Sequence, residues 1–185
     1  MIALIAGLVV FLGVHLVPTR PALRVGLQGR FGELGYKGLF SVVAAIGLVL
    51  IIWGKAEAPF VAIWQPPVWT RHIPLALMPI ALILLVAAYV PNNLRRVVKH
   101  PMLAAVKLWA LVHLLANGDL ASMLLFAAFL AFAVYDVISV KKRGTAPARG
   151  KVNPLLDVVT VVVGLVAYVG LMHAHGHLFG VPVIG

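Results

Sequence analysis

The stretch His100-Pro101-Met102-Leu103-Ala104-Ala105-Val106-Lys107-Leu108-Trp109-Ala110-Leu111-Val112-His113-Leu114-Leu115-Ala116-Asn117-Gly118-Asp119 reads as one apolar helix and the turn behind it. Pro101 suits the first helical position, where a missing N–H costs nothing. Asn117-Gly118 is a helix stop, and Asp119 can accept a backbone N–H at the start of the next helix. The pattern therefore predicts a tight hairpin of two helices, 101–117 and 119–140. At about 1.5 Å per residue, His113 lies roughly 20 Å along the first helix, beyond the mid-plane of a ~30 Å hydrocarbon layer. An ionisable ring at that depth is costly without a partner, which makes it a candidate functional residue.

The rest of the chain fits a membrane. Hydrophobic residues make up 63% of the 185 and charged residues 11%, with a mean hydropathy of +1.07. This is too apolar for a soluble domain of that length. Further crossings are predicted at about 2–18, 36–55, 73–90 and 155–177, with Pro74 and Pro79 marking a kink in the third helix. The expected architecture is an all-α polytopic bundle of about six transmembrane helices, a single domain over 1–185. A first loop of roughly 17 residues and a fifth of roughly 14 leave no room for a soluble domain. The stretch Lys141–Lys151, basic and rich in helix breakers, is the most linker-like.

Charge placement orients the bundle. Twelve of the fifteen basic residues fall on one side: Arg20, Arg24, Arg30 and Lys37; Arg95, Arg96 and Lys99; Lys141, Lys142, Arg143, Arg149 and Lys151. The other side has only Lys55 and Arg71, and Lys107 lies within a helix. A positive-inside bias then puts the first, third and fifth loops in the cytoplasm and both termini outside. Attraction to anionic membrane lipids accounts for the net charge of +10 without a nucleic-acid partner. The first helix has no basic residue ahead of its apolar run, so it reads as an anchor and not a cleaved leader. Trp53, Trp64 and Trp69 read as an outer aromatic belt, with the loop 60–69 grazing the membrane.

Several chemistries are excluded. With no cysteine there is no disulfide, thiolate metal site, iron–sulfur cluster or covalently attached c-type haem. No Gly-rich phosphate loop joins a strand to a helix. Imidazoles are the remaining metal ligands, backed by five methionines. His15 sits near the inner end of the first helix, where it could instead orient toward headgroups. His100 could be a plain helix-start residue, and His113 an interhelical hydrogen-bonder. His72 reads as interfacial. In His173-Ala174-His175-Gly176-His177, the first and last histidines share a helical face, a spacing compatible with a metal ion. Asp136, about a turn from Lys141, reads as half of an interfacial ion pair. Asp157 favours the positive end of the last helix.

The segment Lys99-His100-Pro101-Met102, continued by Leu108-Trp109 and His113 to Leu120, closely resembles the signature of the NnrU family of bacterial membrane proteins. Phe11–His15 followed by Pro21–Arg24 is similar to that family's opening motif. Lys99 stands where the family usually has arginine, keeping the charge without the planar fork. The resemblance implies a bacterial inner-membrane protein that supports nitrite and nitric oxide reduction, with components of those reductases as partners. The same domain occurs in plant ζ-carotene isomerase, which carries haem b between two histidines. By position those ligands would be His15 and His113, with His100 the histidine of the His-Pro pair.

On that implication, a second-shell acceptor for His113 would be Asn117, and Arg24 or Lys107 would pair with haem propionates. A difference in depth separates His15 from His113, and a His15–His100 pair would match depth better. Three other readings stay open: a haem-dependent isomerase of a polyene, a membrane methyltransferase resembling the isoprenylcysteine carboxyl methyltransferases, and a cofactor-free scaffold. The methyltransferase reading lacks acidic and aromatic residues after the last helix; the only glutamates are Glu33 and Glu57.

Overall fold

The computed structural model describes residues 1–144, 150–181 and 183. Its helices are α1 (Ile2–Leu16), α2 (Pro21–Ala56), α3 (His72–Ala87), the single turn α4 (Leu94–Val97), α5 (Pro101–Ala116), α6 (Leu120–Arg143) and α7 (Leu155–Phe179). Short 3-10 turns at Val17–Thr19 and Val68–Arg71 lead into α2 and α3. Five helices are long and apolar enough to cross a membrane, and α5 is a shorter apolar helix beside them. Residues 145–149 of the linker-like stretch, Arg149 among them, lie outside the described residues; before them α6 ends on Gly144 at φ 64°.

One helix differs markedly from expectation. The span labelled α2 begins at Pro21 and covers 36 residues; its part after Gly32 corresponds to the crossing expected at 36–55, and the helix ahead of Gly32 is additional. That is about 54 Å of helix, well beyond a ~30 Å hydrocarbon layer. Gly32, at φ 72° and ψ 168°, breaks it into two segments. The first loop is thus only Val17–Arg20, and Arg24, Arg30 and Lys37 ride on a helix. Glycines recur at every third position from Gly26 to Gly38, yet only Gly32 leaves helical geometry.

The main contacts between helices run in the order α2–α1–α6–α5–α3–α7. Leu4, Leu8, Ile51, Ala110, Ala121, Leu125 and Phe126 form the buried core at the α1, α2, α5 and α6 end. Lipid tails are as apolar as leucine, so such helices associate through close packing and not through escape from water. Glycine supplies that closeness. A Cβ on Gly7 would sit 2.6 Å from the backbone nitrogen of Ile51, and one on Gly164 2.7 Å from the Cα of Ile83.

Connections fasten to helix ends. The α5–α6 turn accepts Ile63 N–H at the Gly118 carbonyl (2.8 Å) and the Trp64 indole N–H at the Asn117 carbonyl (3.1 Å). The loop between α2 and α3 therefore docks on this hairpin, while Trp53, Trp64 and Trp69 stay exposed. Beyond α3, Asn93 donates to both carboxylate oxygens of Asp157 (2.7 and 2.8 Å) and accepts from Val152 N–H. Asp136 pairs with Arg143 at 3.5 Å, not with Lys141, and Arg143 also donates to the Pro18 carbonyl.

Asp119 caps α6 as its sequence position predicts, accepting the Ser122 N–H at 2.9 Å and the Lys55 ammonium at 3.1 Å. Burial works to raise this carboxyl, but the Ser122 hydrogen bonds and Lys55 outweigh it and hold it below the usual carboxylate value. A lowered folded-state pKa stabilises the fold above the unfolded value, and that contribution disappears as pH falls through the folded one. Asp119→Ala should therefore cost about 1 kcal/mol at neutral pH, the typical worth of a cap. It should also flatten the loss of thermal stability below about pH 4. Thermal melts of both proteins in one detergent across pH 2–7 check this, and equal acid sensitivity would refute it.

Candidate functional site

His113 stands three residues before the end of α5, half-buried, with ring-centroid distances of 5.7 Å to Trp109 and 4.8 Å to Phe126. Helical side chains lean toward the N-terminus, and this one brings Nδ1 to 2.8 Å from the Trp109 carbonyl. A carbonyl only accepts, so Nδ1 carries the hydrogen and Nε2 keeps its lone pair in the neutral ring. Trp109 thus holds the place expected of Asn117. The Asn117 amide instead donates to the His113 carbonyl at 2.8 Å and closes the helix end. It is sequence-adjacent to the ring but faces the backbone.

The imidazole opens onto a cavity of about 300 Å³ between α3, α5 and α7. Met78, Trp109, Tyr168, Met172 and His175 share its wall with His113; the other lining residues are Ala, Leu, Val, Pro and Phe. Among the described residues no Asp, Glu, Lys or Arg lines it. The Tyr168 hydroxyl donates to the Leu75 carbonyl at 3.0 Å and ties α7 to α3 beside the cavity. His175 directs Nδ1 to the Val181 carbonyl at 2.6 Å, which leaves its Nε2 as an acceptor as well.

His15 belongs to a different neighbourhood. Its Nδ1 meets the Phe11 carbonyl at 2.6 Å, and its ring contacts Phe11, Phe40 and Phe132. From His15 to His113 the rings run through Phe11, Phe129 and Trp109, with successive centroids 4.2, 5.6, 5.3 and 5.7 Å apart. On α6, which both histidines touch, Phe132 and Phe126 are six residues apart. The two imidazoles are therefore offset by about 9 Å along the bundle. His100 precedes α5 and makes no side-chain cap there. Arg24 is exposed on α2, and Lys107 is half-buried on α5 without lining the cavity.

Of the residues expected at the site, the structure places only His113 on the cavity wall; His15, His100, Arg24 and Lys107 do not line it. The cavity side of His113 offers an available nitrogen lone pair, apolar walls and a second imidazole, but no cation for the propionates of a haem. Among the described residues no three of His, Cys, Asp and Glu come together for a bare metal ion. His175 was legible only as one of three clustered histidines, since nothing local shows which face of α7 meets α3.

The sequence model of one protein family, described as NnrU protein, matches residues 3–183. No curated protein and no solved structure matches the chain.

Proposed function

Because this chain belongs to the NnrU family, we propose that it binds haem b in its membrane-embedded bundle and supports nitrite and nitric oxide reduction at the bacterial cytoplasmic membrane. The observation that carries this reading is the His113 imidazole, its Nε2 free, on the wall of an apolar cavity. Haem b bound there would supply a one-electron couple, and an open iron position would add a site for a small gas.

The chain's own residues supply the setting. The Trp109 carbonyl fixes the His113 tautomer and makes the ring a better donor. Apolar walls keep water out and lower the local dielectric. Lys107, six residues before His113 on the same helix, is the nearest cation in sequence for a propionate. Arg24 does not line the cavity, which argues against that role. His15, the second ligand implied by the resemblance, does not line the cavity. We place the basic connections in the cytoplasm and both termini outside, in contact with anionic lipids and with components of the nitrite and nitric oxide reductases. The apolar lining also supports a second reading, a haem-dependent isomerase of a polyene.

The denitrification role is tested in a denitrifying bacterium lacking the gene. Under anaerobic growth on nitrate, nitric oxide should accumulate and fall again when the wild-type gene is restored. His113→Ala, present in the membrane at the same level, should not restore it. Full rescue by that variant would contradict the reading.

A further inference from the structure

We infer that the part of α2 ahead of Gly32, residues 21–31, lies along the inner membrane surface and binds anionic phospholipid there. The inference rests on the membrane placement proposed above and is independent of haem.

Three observations carry it. First, the segment is surplus to the crossing. Residues 33–56 alone are about 36 Å of helix, enough for a ~30 Å hydrocarbon layer. Second, both ends of the segment are held. α1 and α2 pair antiparallel, with Gly54 against Leu4, Gly7 against Ile51 and Gly47 against Phe11. Continued in that register, the pairing puts Thr19 level with Leu39, and Gly32 about 10 Å beyond them along the axis. The stretch between, Arg20 and about 16 Å of helix, therefore runs more across the bundle than along it, at the depth of the headgroups. Third, its faces differ. Leu23, Leu27 and Phe31 recur at every fourth residue and form one stripe. Arg24 and Arg30 stand about 60° to either side of its midline. Val25, Gly26, Gln28 and Gly29 take the far side. Leu23 and Phe31 are exposed, so the protein itself leaves the stripe largely uncovered.

Charge selects the occupant. Among the described residues Arg20, Arg24 and Arg30 enter no ion pair, and the carboxylate of Glu33 is taken by Lys37 at 2.6 Å. The Arg30 guanidinium lies 5.5 Å from the centre of the Phe31 ring, at the edge of the stripe. Arginines on both flanks can lay their stems beside the apolar side chains and raise their guanidiniums to phosphate oxygens, which accept paired N–H bonds. A leaflet of anionic phospholipid offers both layers at once, acyl chain beneath the stripe and phosphate along its rim.

The chain has no cysteine, so single-cysteine variants label cleanly. Leu27→Cys and Val25→Cys, each carrying one nitroxide, are reconstituted in vesicles of equal parts phosphatidylcholine and phosphatidylglycerol. Collisions with oxygen, which collects in hydrocarbon, are compared with collisions with a soluble nickel chelate. The label at Leu27 should favour oxygen and the label at Val25 the chelate. Adding Arg24→Gln and Arg30→Gln to Leu27→Cys should raise its nickel accessibility severalfold. Two dry labels would make the segment part of a continuous crossing, and two wet labels would put it in water; either overturns the proposal. So would immersion of Leu27 unchanged by loss of the arginines. Spin–spin broadening at Leu27 that fades on dilution with unlabelled protein would assign the stripe to a second copy instead. In cells, Val25→Cys should react with an impermeant maleimide only after the membrane is opened. Reaction from outside would overturn the inner placement of the basic residues, and leave the in-plane posture to the vesicle data.

Discussion

Alanine at Gly47 is expected to lower the stability of the bundle by about 3 kcal/mol, the upper end for overpacking a tight contact. The added Cβ would lie 2.7 Å from the backbone nitrogen of Phe11, 2.8 Å from its Cα and 2.9 Å from its Cβ. Side chains can rotate away from an intruder, but a helix backbone can yield only by moving as a whole. Gly7 faces Ile51 from the opposite helix at similar distances, so α1 and α2 touch along much of their shared length. Splaying them would also disturb Leu4, Leu8 and Ile51 in the core. Gly38→Ala is the control. Its Cβ would meet nothing within 4 Å, and relief of glycine's entropy should leave it neutral or about 0.5–1 kcal/mol more stable. Thermal melts in a single detergent compare the two. A Gly47→Ala protein as stable as Gly38→Ala would mean that α1 and α2 are not in backbone contact.

The second large effect is functional. His113→Ala is expected to leave the fold near wild-type stability while removing about nine-tenths or more of the bound haem. The ring is only half-buried, and the Trp109 carbonyl keeps its place in the helical ladder once the imidazole is gone. What disappears is the nitrogen lone pair on the cavity wall, which no neighbour on α5 can replace. His100→Ala, altered at the far end of the same helix, should keep its haem. Equal haem in the two variants, with circular dichroism showing both folded, would remove His113 from the site.

The hairpin of α5 and α6 was legible because its ends are written in local chemistry. Pro101 opens one helix, Asn117-Gly118 closes it, and Asp119 caps the next through Ser122. The start of α2 was hidden because glycine at every third position looks like a breaker, whereas apart from Gly32 those glycines keep helical geometry. Depth alone singled out His113, and the structure puts it on a cavity wall. Its neighbours could not be read in the same way. Which helix lies beside which depends on backbone contacts at residues such as Gly47 and Gly164, and periodicity carries no record of them. His113 lines the cavity between α3, α5 and α7, whereas His15 packs among Phe11, Phe40 and Phe132. Likewise Asp136 reaches past Lys141 to Arg143, because a guanidinium two residues further on can bridge to the Pro18 carbonyl as well.

The most direct measurement is the reduced-minus-oxidised absorption spectrum of the purified wild-type protein, expressed with ample haem precursor and calibrated to haem per chain. This account predicts haem b near one per chain. A folded, monodisperse protein with no haem bands would contradict it.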